Sequence, residues 1–278
     1  MTTTGTAALP ATLRLGAVHL TVSDLDRSVA FYEESLGLRL HRRDGAVAAL
    51  GAGEEDLVVL HEEPDARPAG RHAGLFHYAL LYPSREELAR AVQRLGQTRT
   101  AISGASDHGV SEAIYLSDPD GNGIELYADR PRDAWPPPGP GERVGMFTRP
   151  LDVQALLATV AHAEPARRAG PGLRMGHVHL HVGDIDAARD FYCDVLGFEP
   201  MTTYPGAIFV AAGGYHHHVG LNTWRGEGVG PAPEAAVGLR EWTIALDPDA
   251  LATVRGRLGA DVAADPWGIR VRFVSAQR

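Results

Sequence analysis

Two hydrophobic patterns follow one another near the start of the chain. From Gly16 the residues GAVHLTV alternate between apolar and polar side chains, which is typical of a half-buried β-strand. The next stretch, DLDRSVAFYEESLG, has apolar side chains at helical spacing, with Asp24 as a candidate N-cap and Gly37 as a candidate end. The pattern therefore predicts a strand, an amphipathic helix and a loop that turns at glycine.

The same pattern returns 160 residues later. Gly16–Leu40 and Gly176–Pro200 align without a gap, and 11 of their 25 positions are identical. Asp184 stands in the second copy where Asp24 stands in the first. The chain therefore contains an internal repeat, and each half begins with the same strand and helix.

A second, weaker unit follows in each half, beginning at Gly74 and at Gly238. Short apolar runs bounded by glycine, such as AVAALGAG and AIFVAAGG, predict the remaining strands. Four βαβββ-like units result, two in an N-terminal half (residues 1–130) and two in a C-terminal half (residues 173–278). Residues 131–172, rich in proline and glycine around the helical stretch DVQALLATVAHA, are predicted to be a linker.

The composition excludes several classes of partner. With 26 Lys and Arg against 35 Asp and Glu, the net charge is -9, so we expect neither nucleic acid nor an anionic membrane surface as a partner. Cys193 is the single cysteine, no apolar run approaches the roughly 20 residues of a membrane helix, and the first residues lack a secretory-signal pattern. We therefore expect a cytoplasmic protein with a small-molecule partner, in which 13 histidines are the unusual feature.

Three longer phrases carry a family resemblance: GHVHLHVGDIDAARDFYCDVLGF, GASDHGVSEAIYLSDPDGNGIELYADRP and GGYHHHVGLNTW. They resemble the vicinal oxygen chelate superfamily of glyoxalases, bleomycin-resistance proteins and extradiol dioxygenases, and the catechol 2,3-dioxygenase branch in particular. The resemblance implies an α+β fold, in which four βαβββ modules pair into two cupped mixed sheets with helices on the outside. It also implies a metal held by two His and one Glu, the facial triad that leaves a ferrous ion open to substrate and dioxygen.

The family's ligand positions lie on the first and last strands of a module. In module two they hold His77, seven residues before the predicted helix start, and Glu125, in the strand GNGIELY. Module three has His177 at the same distance from its own helix start. The resemblance therefore implies His77, Glu125 and His177 as the metal ligands.

Modules one and four lack an equivalent set. Module one has Ala17 at the histidine position, and module four has Glu241 and Arg272 where module two has His77 and Glu125. Because a cation at a ligand position repels a metal, we expect no site in module four. Only a pairing of module two with module three completes the ligand set, so modules one and four are predicted to form a second cup without a metal.

The neighbouring histidines of module three need a separate interpretation. His177, His179 and His181 share one face of the predicted strand, but alternate residues lie about 6.6 Å apart, so one ion binds only one of them. His19 of module one aligns with His179 although module one lacks the ligand histidine. The pair His19 and His179 is therefore interpreted as structural.

The resemblance also implies catalytic residues. An active-site histidine is expected on the last strand of module three, where the family's register favours His217 but leaves His216 and His218 open. Tyr115, ten residues before the glutamate ligand, has the spacing of the family's active-site tyrosine. His108, in the loop SDHGVSE, is a candidate gate or substrate contact.

With these residues in place, the resemblance implies an Fe(II)-dependent extradiol dioxygenase that acts on a small aromatic diol and dioxygen at a single site between modules two and three. Mn(II) suits the same ligands, and a homo-oligomer is compatible with the sequence. Two alternatives remain open. One is a metal-dependent isomerase or thiol transferase, which would want a fourth protein ligand where His217 stands, and the other is a metal-free binding or resistance protein of the same fold.

Overall fold

The fold is that of a computed structural model in which residues 7–276 are described. The first six residues, on which the expectation of no secretory signal partly rests, lie outside this range. Module one consists of β1 (Arg14–Val22), α1 (Leu25–Glu34), β2 (Arg39–Asp44), β3 (Val47–Gly51) and β4 (Asp56–Glu62), followed by the short strand β5 (Arg67–Pro68). Module two consists of β6 (Gly74–Tyr82), α2 (Arg85–Gln97), β7 (Gly104–Asp107), β8 (Ser111–Ser117) and β9 (Gly123–Asp129).

The connection to the second half contains a 3-10 turn (Arg132–Ala134), the short strand β10 (Arg149–Pro150) and α3 (Val153–Ala158). Module three consists of β11 (Arg174–His181), α4 (Ile185–Arg189) with a π-helical continuation (Asp190–Val195), β12 (Glu199–Tyr204), β13 (Ala207–Ala211) and β14 (Val219–Asn222). Module four consists of β15 (Ala236–Leu246), α5 (Pro248–Leu258), β16 (Val262–Ala264) and β17 (Arg270–Ser275), so it has one strand fewer than the others within the described range.

The first helix of each half begins where the sequence predicts. Asp24 accepts a hydrogen bond from the backbone N–H of Arg27, and Asp184 accepts one from the backbone N–H of Ala187. These side chains satisfy N–H groups that have no partner within the first turn of a helix. Gly37 follows the first helix with a φ of +71°, a conformation that favours glycine.

The strands form two mixed sheets, and each sheet combines one module from each half of the chain. In one sheet the order β16-β17-β15-β1-β4-β3-β2 joins module four to module one. In the other, the order β10-β7-β8-β9-β6-β11-β14-β13-β12 joins module two to module three. Antiparallel pairs of first strands, β1 with β15 and β6 with β11, make these connections. The pairing across the halves is the one predicted from the sequence.

The hydrophobic core contains residues of both sheets. Val18 and Leu20 of β1 and Val178 and Leu180 of β11 belong to it and are fully buried. Because successive side chains of a strand point to opposite faces, the histidines that alternate with these residues point away from the core. None of the helices in residues 7–276 combines the length and apolar character that a membrane crossing needs.

Candidate metal centre

Three adjacent strands of the sheet formed by modules two and three bring together one side chain each. His77 lies on β6, and the neighbouring strands β9 and β11 carry Glu125 and His177. Both Glu125 and His177 are register partners of Ala79, which lies on β6 two residues after His77. Ala79 is fully buried and has a small side chain, so the space beside it is left to the three functional groups.

The donor atoms converge on one oxygen. Nε2 of His77 lies 2.9 Å and Nε2 of His177 lies 3.1 Å from Oε2 of Glu125. The three residues are buried, and one ligand atom of each lies within 4.8 Å of the others. In an octahedral complex with bonds of about 2.1 Å, adjacent donors are about 3.0 Å apart, so these separations fit one divalent cation. Nε2 of His77 is buried without a hydrogen bond of acceptable geometry, which leaves its lone pair for such an ion.

The protonation states also suit metal binding. Burial lowers the pKa of the His177 imidazole to about 4. Burial alone would raise the pKa of the Glu125 carboxyl, but the adjacent His177 and His77 overcome this effect and hold that pKa well below its usual range. At neutral pH the site therefore offers a neutral His177 imidazole and an ionised Glu125 carboxylate, the forms that ligate metals.

The other two histidines of β11 are engaged by Asn222 on β14. The side-chain amide of Asn222 donates to Nε2 of His179 at 2.9 Å, and Nδ1 of His181 donates to its oxygen at 2.7 Å. The amide N–H therefore binds the lone pair on Nε2 of His179, and this nitrogen is then not available as a metal ligand. Asn222 is not among the residues predicted from the sequence, where its signal is a polar residue at the end of an otherwise apolar strand, VGLN.

A cavity of about 740 Å³ opens beside these groups. Its volume lies within the range of about 300–1,000 Å³ that is typical of small-molecule sites. The candidate catalytic residues Tyr115, His108 and His217 line it, together with His77 and Glu125.

Two aromatic side chains that the sequence analysis did not identify stand in the wall of this cavity. Phe76 and Trp224 are 38% and 53% exposed, and their rings meet edge to face with centroids 5.6 Å apart. An exposed aromatic pair of this kind offers an apolar surface to a ring-shaped ligand.

His217 is the member of the histidine run that faces the cavity. Its ring centroid lies 4.1 Å from that of His177. The expected strand position is wrong in detail, because β14 begins at Val219 and the histidines precede it. Gly213 and Gly214 both have positive φ angles, 62° and 72°, and turn the chain ahead of the histidines.

Tyr115 and His108 form a directed pair. Tyr115 is the register partner of Glu125 on the neighbouring strand, and its hydroxyl lies 2.7 Å from Nε2 of His108. Nδ1 of His108 lies 3.1 Å from the backbone oxygen of Phe147, which can only accept, so Nδ1 carries the proton and Nε2 accepts from Tyr115. Burial and the nearby Glu125 carboxylate raise the pKa of Tyr115 well above its ordinary value, so the hydroxyl keeps its proton.

The matching positions in the other sheet hold an ion pair. Nε and Nη2 of Arg272 donate to the two carboxylate oxygens of Glu241 at 2.5 and 3.1 Å. His19 lies beside them with its Nδ1 3.1 Å from Nε2 of His61. Among residues 7–276, the only group of His, Cys, Asp and Glu side chains with ligand spacing is the one around Glu125.

Comparison with known proteins gives the family. The family model described as "Glyoxalase/Bleomycin resistance protein/Dioxygenase superfamily" matches residues 14–126 and 174–232. Catechol-2,3-dioxygenase of Bacillus subtilis (strain 168) is 44% identical over 237 residues, which cover 84% of this chain and 82% of that protein. Glutathione transferase FosA of Serratia marcescens is 32% identical over 113 residues, 41% of this chain and 79% of that protein.

Solved structures share the fold at low sequence identity. A crystal structure from Bacillus subtilis subsp. subtilis str. 168 aligns with a TM-score of 0.64 at 13% identity, over 95% of this chain and 86% of that one. Glyoxalase I from Zea mays aligns with a TM-score of 0.56 at 19% identity, over 95% of this chain and 92% of that one. With modules of both halves matched, the chain belongs to the glyoxalase/bleomycin resistance protein/dioxygenase superfamily.

Proposed function

We propose that the protein is an Fe(II)-dependent extradiol dioxygenase, which opens the ring of catechol or a substituted catechol with dioxygen. One observation carries the proposal: two histidine nitrogens lie 2.9 and 3.1 Å from one glutamate oxygen, beside a cavity lined by Tyr115 and His217. The 44% identity to catechol-2,3-dioxygenase of Bacillus subtilis supports the same activity.

The donor set suits a ferrous oxygenase. Fe(II) held by His77, Glu125 and His177 would keep three positions open, enough for both diol oxygens and dioxygen. The single carboxylate leaves the loaded site with net positive charge, which favours an anionic catecholate. Mn(II) suits the same nitrogen and oxygen donors.

The surrounding residues have separate tasks in this proposal. Because the Tyr115 hydroxyl donates a hydrogen bond to His108, its oxygen can accept a hydrogen bond from a diol hydroxyl. Burial lowers the pKa of His217 well below its ordinary value, so the neutral imidazole is available to take a proton from the substrate and to return it. Phe76 and Trp224 would pack against the aromatic ring and keep water from it.

An isomerase or thiol transferase is the alternative within the superfamily, because glutathione transferase FosA aligns with part of the chain. Such an enzyme would want a fourth protein ligand where His217 stands. Within the described residues, the group with ligand spacing consists of His77, Glu125 and His177 and does not include His217. The donor set therefore favours the dioxygenase.

The test is ring cleavage by the metal-loaded protein. After anaerobic loading with Fe(II), catechol and air are expected to give the yellow hydroxymuconic semialdehyde. His77→Ala and Glu125→Ala are expected to abolish this product, and Glu241→Ala, at the matching position of the other sheet, is the control that keeps it. A colourless product from cleavage between the hydroxyls, or no conversion by protein with bound iron, would contradict the proposal. A folded protein that retains no metal would favour the metal-free binding protein.

A further inference from the structure

A chain of hydrogen bonds leads from His217 away from the cavity. Nδ1 of His217 lies 2.8 Å from Nδ1 of His216, and Nε2 of His216 lies 2.9 Å from Oδ1 of Asp129. His216 is fully buried, and the Asp129 side chain is 27% exposed. The chain therefore connects the wall of the cavity to a carboxylate near the surface.

The acceptor at the outer end sets the direction of these hydrogen bonds. An ionised carboxylate only accepts, so Nε2 of His216 must carry a proton. A neutral imidazole has one N–H, so Nδ1 of His216 then accepts from Nδ1 of His217. With both rings neutral, the proton of His217 lies on Nδ1, and Nε2 has a free lone pair.

The environment of both ends agrees with this assignment. The hydroxyl of Tyr215 also donates to Asp129, at 3.2 Å to Oδ1 and 3.0 Å to Oδ2, which holds the carboxylate in place. At the inner end, Nε2 of His217 makes no hydrogen bond with any residue in the described range, and the ring lines the cavity.

We infer that Asp129, acting through His216, fixes His217 in the tautomer whose Nε2 is unprotonated and available to the substrate. Asp129 and His216 are thus positioning residues. A carboxylate that orients a catalytic imidazole in this way is known from serine proteases, where the amide replacement leaves the geometry intact but selects the wrong tautomer. Here a second imidazole stands between the carboxylate and the catalytic ring.

The inference rests on the proposed function, because it assigns His217 the task of a proton acceptor. An unprotonated Nε2 can take the proton of a diol hydroxyl: the O–H bond breaks, an N–H bond forms on Nε2, and the substrate oxygen keeps the electron pair. The imidazolium that results still donates from Nδ1 to His216, so the hydrogen bonds to Asp129 remain in place to stabilise its charge.

The experiment uses ¹⁵N-histidine-labelled, metal-free protein and its two-bond ¹H–¹⁵N correlations, with His217 assigned by comparison with His217→Gln. In the unaltered protein we expect a protonated Nδ1 and an unprotonated Nε2 on His217. Asp129→Leu removes the acceptor from Nε2 of His216 without adding another, so the constraint on the two rings is lost and the proton of His217 is expected to populate Nε2. Tyr215→Phe removes the other hydrogen bond to Asp129 and is the matched control, with the tautomer unchanged.

Activity of the iron-loaded variants is a second readout. Asp129→Leu is expected to lower kcat/KM for catechol about 10- to 100-fold, as the loss of an outer orienting partner does elsewhere, whereas Tyr215→Phe lowers it less. A His217 that is protonated at Nε2 in the unaltered protein, or an unchanged tautomer in Asp129→Leu, would overturn the inference even if catechol is cleaved. Absence of ring cleavage by the unaltered protein would overturn the proposed function, while the NMR result still decides how His217 is oriented.

Discussion

Arg272 donates two hydrogen bonds to Glu241 at the positions that Glu125 and His77 occupy in the other sheet. The two charges satisfy each other, whereas Glu125 is surrounded by imidazoles and pairs with no Arg or Lys in residues 7–276. The two sheets differ at all three ligand positions, because module one also has Ala17 where module three has His177. The chain therefore supplies its own control site for metal-binding experiments.

One metal ion per chain is the first expectation. Glu125→Ala removes the oxygen on which both histidines converge and should lower metal affinity by well over tenfold, whereas Glu241→Ala should leave it unchanged. Elemental analysis of Fe(II)-loaded and desalted protein measures this. Two ions per chain, or full occupancy in Glu125→Ala, would contradict the assignment of the site.

The histidines of β11 give the second prediction. His177→Ala should lose the metal, and His179→Ala should keep it, because the amide of Asn222 already occupies Nε2 of His179. Titration of both metal-free variants with Fe(II) or Mn(II) compares their affinities directly. Thermal unfolding of the same samples shows whether either substitution lowers metal affinity by destabilising the fold. A higher metal affinity in His177→Ala than in His179→Ala would show that the assignment of His177 as the ligand is wrong.

Tyr115 and His108 should act as a unit. If His108 serves by holding the Tyr115 hydroxyl, Tyr115→Phe and His108→Leu should each lower kcat/KM for catechol by about 10- to 100-fold. The double variant should then be no worse than Tyr115→Phe alone, because residues in one hydrogen-bonded network are not additive. Steady-state kinetics of the four proteins measures the coupling. Fully additive losses would mean that His108 contacts the substrate independently.

The architecture could be predicted because it repeats. The match between Gly16–Leu40 and Gly176–Pro200 defines the first strand and helix of each half, and the expected pairing of modules across the halves is the pairing observed in the two sheets. A ligand set that is incomplete within either half but complete between modules two and three was enough to predict this pairing. The alternation of apolar and polar residues and the register of the repeat thus predict the fold and the position of the candidate site.

The side-chain network could not be predicted from the same signals. Three consecutive histidines have no alternation, so only the family register favoured His217, and no pattern showed that β14 begins only at Val219. Asp129 and Asn222 make side-chain hydrogen bonds to other segments of the chain, and such contacts leave no periodic pattern. The strand that module four lacks within the described range likewise could not be predicted from the weak repeat at Gly238.

Gly123 tests how tightly the site depends on the approach of β9 to β6. A Cβ at Gly123 would lie 2.0 Å from the backbone oxygen of Phe76 and 3.1 Å from Cβ of His77. Gly123→Ala should therefore push the strands apart, lower stability by roughly 1–3 kcal/mol and weaken metal binding. Gly96→Ala in α2 is the control, because a Cβ there meets nothing within 4 Å, and it should stabilise by about 0.5–1 kcal/mol. Urea unfolding of metal-free protein measures both, and equal effects would refute the steric argument.

Asp265 links the stability of the fold to pH. It is buried in the turn before β17, where it accepts hydrogen bonds from the backbone N–H groups of Trp267 and Ile269 and, at 3.2 Å, from the hydroxyl of Tyr192. Burial raises the pKa of this carboxyl from 3.8 to about 6. The folded state therefore binds a proton more tightly than the unfolded state does, and the contribution of Asp265 to stability should fall as pH rises from about 4 to about 6.

A shift of this size corresponds to roughly 3 kcal/mol lost across that window. Asp265→Asn cannot ionise but keeps an oxygen for the two N–H groups, so the difference in unfolding free energy between variant and parent should move in favour of the variant as the pH rises through the window. Urea unfolding of metal-free protein at half-unit steps of pH measures that difference. Metal-free protein is used because protonation of the ligand histidines would otherwise release the metal and change the stability in the same pH range. A difference that stays constant with pH would show that burial does not disfavour the charged form of Asp265.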